Sequence, residues 1–303
     1  MRLGYPCINR GIGCSAGRTF RLAGYSPERL RTVVKENLSC LERIVEFNRR
    51  EELLFFRISS DTVPFASHPV CEVDWAREFS TELAALGEMI TKAGMRISMH
   101  PDQFVLINAE KRDIVDASIR ELAYHAAFLD GLGLPQDARI QIHVGGVYND
   151  RKAALRRFVE EYHSLPEAIR RRLAVENDDR RFTVRDCLWI HEHTGIPVIC
   201  DNLHHSLLNH GESLRRVMEA AARTWSIATG PPMVDYSSQY PGGRPGRHVE
   251  HLDAGDFAFF LEETQGLDFD LMLEVKDKEK SAMEARELAR VRGHIEKPST
   301  WSR

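Results

Sequence analysis

Histidine and acidic side chains recur at or near the ends of short apolar segments along this 303-residue chain. These are residue types that bind divalent metal ions, and they are His100, His143, Glu176, Asp201, His204, Asp235 and Glu274. Imidazole and carboxylate groups without thiolates suit zinc, manganese or iron, and more than four candidate ligands indicate more than one ion. Such clusters convert bound water into a nucleophile and neutralise charge on a phosphate during in-line displacement. The pattern therefore predicts a hydrolase site with two or three metal ions.

Eight apolar and β-branched segments must position these residues, and each is followed by a segment with helical periodicity. This alternation is typical of a parallel α/β fold. The eight segments are residues 2–6, 53–60, 96–100, 139–144, 172–176, 196–201, 232–237 and 270–275. Because α/β barrels carry their chemistry at the carboxyl ends of the strands, the positions of the ligand-type residues favour a (β/α)8 TIM barrel. We expect a single domain over residues 1–295 and a flexible C-terminal tail over residues 296–303.

Side-chain alternation within the segments supports the barrel. In the fourth segment Ile140 and Ile142 face the helices, whereas Gln141 and His143 face the barrel interior, and the same parity turns Glu176 and Glu274 inward. Converging carboxylates and imidazoles would cost several kcal/mol without compensation, and divalent ions remove that cost. A doubly wound open sheet is the competing architecture, but Gly11-Ile12-Gly13 lacks the third glycine of a phosphate-binding turn.

Composition restricts the cellular setting and the partners. The formal charge of -4, from 41 Lys and Arg against 45 Asp and Glu, argues against a generally basic nucleic-acid coat but allows a local basic track. No segment approaches the roughly 20 apolar residues that span a bilayer, and the N-terminus lacks a signal-peptide core. The six scattered cysteines form no Cys-x-x-Cys pair. We therefore expect a cytoplasmic protein with six free thiols and no membrane partner.

Seven stretches, in order along nearly the whole chain, resemble the UV damage endonucleases, a family similar in fold to the endonuclease IV group and the sugar isomerases. They are Leu3-Gly4-Tyr5-Pro6 with Asn9, Phe65-Ala66-Ser67-His68-Pro69, Met99-His100-Pro101-Asp102-Gln103-Phe104, Gln141-Ile142-His143-Val144-Gly145-Gly146, Val175-Glu176-Asn177-Asp178-Asp179, Asp201-Asn202-Leu203-His204-His205, and Met272-Leu273-Glu274-Val275-Lys276-Asp277-Lys278-Glu279. Each motif is weak, but their order is specific. The resemblance implies an enzyme that nicks double-stranded DNA immediately 5′ of cyclobutane pyrimidine dimers and 6-4 photoproducts, leaving a 3′-hydroxyl and a 5′-phosphate. We expect it to act as a monomer.

The resemblance also implies a metal cluster and the residues that build it. Two to three divalent ions are expected, manganese first, with magnesium, zinc or cobalt as alternatives. Glu176 is implied to bridge two ions, and Glu176, Glu274, His143 and Asp201 are the implied catalytic residues. The implied metal ligands are His68, His100, His143, Glu176, Asp201, His204, Asp235, His248 and Glu274.

The seventh segment departs from the family pattern. Some members carry a lysine and a nearby histidine there, whereas this chain has Met233 and Asp235. Asp235 can replace a histidine ligand, but Met233 cannot replace the lysine. The occupancy of a third metal site therefore stays open at this point.

Gln103 and Phe104 look like the pair that family members insert into the duplex at the lesion. A planar amide and an aromatic ring can replace the pairing and stacking that are lost when two damaged bases rotate out. Without the resemblance, Phe104 is interpreted as a buried core ring in the run from 104 to 107.

Four further residues are expected to contact DNA. The resemblance implies that Tyr5 and Asn9 line the pocket that receives the extruded dinucleotide. Arg244 and Arg247 lie in a glycine- and proline-rich segment, where they could track phosphates in an open groove.

Two other functions compete with this one. A metal-dependent sugar isomerase or epimerase uses the same barrel and similar ligands, and it predicts a small closed pocket. A non-catalytic protein that binds damaged DNA would use the arginines alone, but inward carboxylates argue against it because an apolar interior would be more stable.

Overall fold

The computed structural model describes residues 1–295, and these form a closed barrel of eight parallel strands in sequential order. The predicted barrel is confirmed, and each predicted segment contains one strand. The strands are β1 (Leu3–Pro6), β2 (Phe55–Ile58), β3 (Arg96–Met99), β4 (Arg139–His143), β5 (Leu173–Glu176), β6 (Val198–Asp201), β7 (Met233–Tyr236) and β8 (Asp270–Leu273). The predicted tail, residues 296–303, lies outside the described residues.

Helices surround the barrel and cover the outer faces of the strands. Among residues 1–295 they are α1 (Pro27–Arg50), α2 (Trp75–Glu78), α3 (Ser80–Lys92), α4 (Arg112–Gly131), α5 (Arg151–Ser164), α6 (Glu167–Arg170), α7 (Val184–Thr194), α8 (Asn202–Leu207), α9 (Leu214–Ala222), α10 (Ala254–Glu263) and α11 (Glu279–Val291). Helix α1 begins where Ser26 accepts a hydrogen bond from the Arg29 backbone N–H, with Pro27 as its first residue. None of the described helices is both long enough and apolar enough to cross a bilayer.

The barrel interior consists of an apolar layer below a polar layer. Five buried side chains form the apolar layer, namely Phe55, Ala174, Ile199, Met233 and Met272. Two residues after each of them, one layer nearer the carboxyl ends of the strands, stand Arg57, Glu176, Asp201, Asp235 and Glu274. The two-residue period therefore places five ionisable side chains in a single layer, four from strands β2, β5, β6 and β7 and the fifth, Glu274, directly after β8.

Strands β1 and β2 approach each other closely at Gly4. A Cβ atom at this position would lie 1.3 Å from the Phe55 carbonyl oxygen, so only glycine fits. The resulting contact brings the end of β1 beside Arg57, and the Cys7 backbone N–H donates to the Arg57 carbonyl oxygen at 2.7 Å.

The expectation of six free thiols is wrong for one pair of cysteines. Cys14 and Cys40 form a disulfide between the β1–α1 connection and helix α1. Their Cα atoms lie 5.9 Å apart because the connection runs back along α1, a tertiary contact that cysteine spacing does not encode. The other four cysteines are free.

Candidate metal centre

Glu176 lies at the centre of the barrel mouth and contacts three histidines. Its Oε2 atom is 3.4 Å from His100 Nε2 and 3.7 Å from His143 Nε2, while its Oε1 atom is 3.3 Å from His204 Nδ1. Two groups of potential ligands result, His100 with His143 and Glu176, and Glu176 with Asp201 and His204. The ligand atoms of each group lie within 4.8 Å of one another. Glu176 thus turns one oxygen to each group, which is the arrangement a bridging carboxylate needs.

Backbone carbonyls hold the imidazole rings in one orientation. The Nδ1 atoms of His100, His204 and His248 lie 2.7, 2.9 and 2.6 Å from the carbonyl oxygens of Pro101, Asn177 and Glu274. Because a carbonyl oxygen only accepts, each Nδ1 carries a hydrogen, and this hydrogen bond fixes the orientation of the ring. Metal-binding histidines are commonly oriented in this way.

Buried polar atoms without partners test whether divalent ions fit here. Asp201 Oδ2, on a residue of the second ligand group, has no hydrogen-bond partner among the described residues. Such atoms are rare in folded proteins because burying them costs free energy. Oxygen and imidazole donors without thiolates suit manganese, magnesium or zinc. The donor set and the unpartnered Asp201 oxygen therefore fit divalent ions at this mouth.

Burial and mutual contact shift the pKa values in the centre. Burial raises the pKa of Asp201 to about 6 and that of Asp235 to about 8. Burial lowers the pKa of His204, but the carboxylates of Asp201 and Glu176 outweigh this effect and raise it to about 11. Burial also opposes ionisation of Glu176, yet the three histidines hold its pKa well below the usual range. Without divalent ions, protons would balance part of the charge of these groups, and ion binding would displace them.

Asp235 and Glu274 lie outside the two groups and pair with Arg57 instead. The Arg57 side chain is only 4% exposed, its Nη2 atom donates to Asp235 Oδ2 at 2.7 Å, and its Nη1 atom pairs with Glu274 Oε1. His248 Nδ1 lies 3.7 Å from Glu274 Oε2, beside the centre. Sequence reasoning missed Arg57 because it stands in an otherwise apolar strand. Its inward parity, two positions after Phe55, was the available signal.

Three predicted site residues lie elsewhere. His68 is exposed, belongs to neither ligand group, and its Nδ1 atom accepts from the Val70 backbone N–H at 3.0 Å. Tyr5 and Asn9 are buried, and the Tyr5 hydroxyl accepts from Asn9 Nδ2 at 2.8 Å and donates to Asn48 Oδ1 at 2.7 Å. In this structure they do not line an open pocket, because these hydrogen bonds hold both side chains inside the protein.

Gln103 and Phe104 lie on the connection that follows β3, and both are exposed. The Phe104 ring is 54% exposed, so its alternative interpretation as a buried core ring is wrong. Gln103 lines a cleft of about 450 Å³ together with His143 and His204. Gln103 therefore lies beside the candidate metal centre, and Phe104 is its exposed neighbour in the chain.

Arginines line the same cleft. Arg244 was predicted, whereas Arg180 and Arg181 were not. The Asp178 carboxylate accepts from the Arg180 and Arg181 backbone N–H groups at 2.8 and 2.5 Å and so shapes the turn that carries them. Two arginines shortly after a strand that ends in a ligand-type residue were the available signal.

A second cleft, of about 710 Å³, adjoins the first and shares Arg244 with it. It is lined by Arg244, Arg247 and Lys278 together with His248 and Glu274. Arg247 stacks on Tyr240, 3.8 Å from the ring centre. Cationic side chains thus line both clefts that reach residues of the centre.

The chain is similar to known proteins over almost its whole length. The family model described as UV-endonuclease UvdE matches residues 1–300. The UV DNA damage endonuclease of Clostridium perfringens (strain 13 / Type A) is 35% identical over 285 residues, which are 93% of this chain and 69% of the relative. The crystal structure of SacUVDE superimposes with a TM-score of 0.94 at 46% identity, covering 97% of this chain and 100% of that one. Endonuclease IV from Thermus thermophilus shares the fold, with a TM-score of 0.58 at 20% identity over 83% of this chain and 93% of that one. This chain belongs to the UV-endonuclease UvdE family.

Proposed function

We propose that this enzyme is a DNA repair endonuclease that nicks the backbone immediately 5′ of UV photoproducts and leaves a 3′-hydroxyl and a 5′-phosphate. Its substrates are cyclobutane pyrimidine dimers and 6-4 photoproducts in double-stranded DNA. One observation carries the proposal: Glu176 is shared by two groups of metal-type ligands at a mouth bordered by cationic clefts. Family membership supports the same activity.

On this proposal, each of the two ligand groups would hold one divalent ion. His100, His143 and Glu176 would hold one divalent ion, and Glu176, Asp201 and His204 would hold a second. Manganese is our first choice, with magnesium, zinc or cobalt as alternatives. When bound, such ions supply a water nucleophile at neutral pH and neutralise charge on the scissile phosphate.

The cationic residues would bind the phosphates of the DNA backbone. Arg180, Arg181 and Arg244 border the cleft that contains His143 and His204, so phosphates along the strand would meet guanidinium groups on their way to the ions. Cation contacts of this kind position the duplex without reading its sequence, as recognition of a lesion requires.

Gln103 and Phe104 supply the lesion recognition. Gln103 lines the arginine-lined cleft, and its neighbour Phe104 is an exposed large hydrophobic residue, 54% accessible. A photoproduct has already weakened stacking and pairing, so insertion of a ring and an amide costs least at the damaged step.

The geometry favours this function over its two competitors. A sugar isomerase needs a small closed pocket, whereas the mouth opens into clefts of about 450 and 710 Å³ lined by arginine and lysine. A protein that only binds damaged DNA has no use for two groups of converging ligands, which would destabilise the ion-free barrel. Action as a monomer and a cytoplasmic location stay predictions.

A plasmid assay tests the proposal. Purified protein with manganese or magnesium should convert UV-irradiated supercoiled plasmid to the nicked form and leave unirradiated plasmid intact. Equal nicking of both plasmids would refute lesion specificity, and no nicking with any of the four candidate metals would refute the endonuclease activity.

A further inference from the structure

The two carboxylates of the polar layer that lie outside both ligand groups share one partner. Asp235 Oδ2 is 2.7 Å from Arg57 Nη2, and Glu274 Oε1 pairs with Arg57 Nη1. The carboxylates inside the groups, Glu176 and Asp201, make no ion pair with Arg57. Of the four carboxylates, Asp235 and Glu274 therefore pair with the guanidinium, and Glu176 and Asp201 do not.

Gln141 connects the two halves of the layer. Arg57 Nη2 donates to Gln141 Oε1 at 2.8 Å, which directs the amide nitrogen away from Arg57. Gln141 Nε2 donates to Glu176 Oε2 at 2.5 Å and to Asp235 Oδ2 at 2.6 Å. Because Arg57 is always protonated and only donates, it also decides which way the amide of Gln141 points.

Charge in the layer argues against a third divalent ion beside this guanidinium. Arg57 already brings one fixed positive charge to Asp235 and Glu274. A third divalent ion at these two carboxylates would lie next to this cation in a buried layer, where like charges repel strongly.

We propose that Arg57 is a fixed internal cation that takes the place of a third metal ion, so that the centre of this enzyme binds two ions. Asp235 then serves as a partner of Arg57 and not as a metal ligand. Glu274 keeps Oε2 directed towards His248 while Oε1 is held by Arg57. The inference rests on the metal centre of the proposed function but does not depend on the DNA substrate.

Metal content measured without DNA tests the proposal. Purified protein is stripped with a chelator, dialysed against Mn²⁺, and analysed by inductively coupled plasma mass spectrometry. We expect two Mn²⁺ per chain in the unmodified enzyme, two in Asp235→Asn and about one in Asp201→Asn. Asp201 and Asp235 form a matched pair, since both are fully buried carboxylates at neighbouring positions of β6 and β7 with one unpartnered oxygen each. Three ions in the unmodified enzyme, or loss of an ion from Asp235→Asn as from Asp201→Asn, would overturn the proposal.

Substitution of Arg57 gives a second test. Arg57→Met frees Asp235 and Glu274, and we expect a Mn²⁺ titration by calorimetry to reveal one additional site. Arg57→Lys keeps the charge and is expected to stay at two ions. If Arg57→Met folds and still binds two ions, Arg57 does not exclude a third; if it does not fold, the Asp235 and Asp201 pair decides. Two ions in a protein that leaves UV-irradiated plasmid intact would refute the proposed function while supporting this inference.

Discussion

Phe104 is expected to supply a defined share of the affinity for damaged DNA. A phenylalanine buries about 150 to 250 Å² when fully covered, so the 54% that is exposed corresponds to roughly 80 to 135 Å². Covering this surface between bases is worth about 2 to 3 kcal/mol at 25 cal/mol per Å². Phe104→Ala should therefore weaken binding to a duplex with a single cyclobutane dimer by roughly 30- to 150-fold. Fluorescence anisotropy in the Glu176→Gln background measures the affinity without nicking.

A matched control separates insertion from a general loss of apolar surface. Phe259, on the outer helix α10, is 59% exposed and is the same residue type. Phe259→Ala should leave the affinity for damaged DNA unchanged, and neither variant should lose bound metal. Equal affinities of the Phe104 and Phe259 variants for the damaged duplex would refute the wedge role.

Three other predictions concern catalysis, electrostatics and stability. Glu176→Gln should lower the nicking rate by about 10³-fold or more while binding to damaged DNA persists, because both ligand groups lose their shared carboxylate; an unchanged rate in a gel-based nicking assay would contradict the bridging role. Replacing Arg180 and Arg181 with alanine should weaken binding to damaged and undamaged duplexes alike and reduce the slope of log affinity against log salt by about 2; a loss confined to damaged DNA would be inconsistent with phosphate contacts. Burial lowers the pKa of His125 to about 4 from its ordinary 6.5, so the folded ion-free protein binds fewer protons there than the unfolded chain. The stability that neutral His125 contributes is complete above pH 6.5 and falls by at most about 3 kcal/mol as the pH drops towards 4. His125→Gln should therefore flatten the plot of the free energy of unfolding against pH in this range, as measured by urea unfolding. An unchanged plot would show that His125 does not titrate in this way.

The barrel and the core of the site could be predicted because both follow from the strand period. Each predicted segment contains a strand. The alternation of side chains along the strands correctly predicted that Gln141, His143, Glu176 and Glu274 face the barrel interior. The carboxyl ends of parallel strands meet at one edge, so ligand-type residues at those ends had to converge.

The remaining features depend on tertiary contacts that no local pattern contains. The sequence does not encode whether Tyr5 points to solvent or to Asn48, and here a buried hydrogen bond settles the question. The same holds for His68, which lies on an irregular connection, and for the Cys14–Cys40 pair. Arg57 stands in an otherwise apolar strand, and its role becomes visible only when the fold brings Asp235 and Glu274 next to it.

A duplex that carries one cyclobutane dimer at a defined position tests the central claim most directly. The stripped enzyme should leave it intact, and the same enzyme with Mn²⁺ should cut the damaged strand immediately 5′ of the dimer, with ends that a sequencing gel and phosphatase treatment identify as a 3′-hydroxyl and a 5′-phosphate. Cleavage by the stripped enzyme, or Mn²⁺-dependent cleavage of the undamaged duplex at the same rate, would contradict a metal centre that acts on damaged DNA.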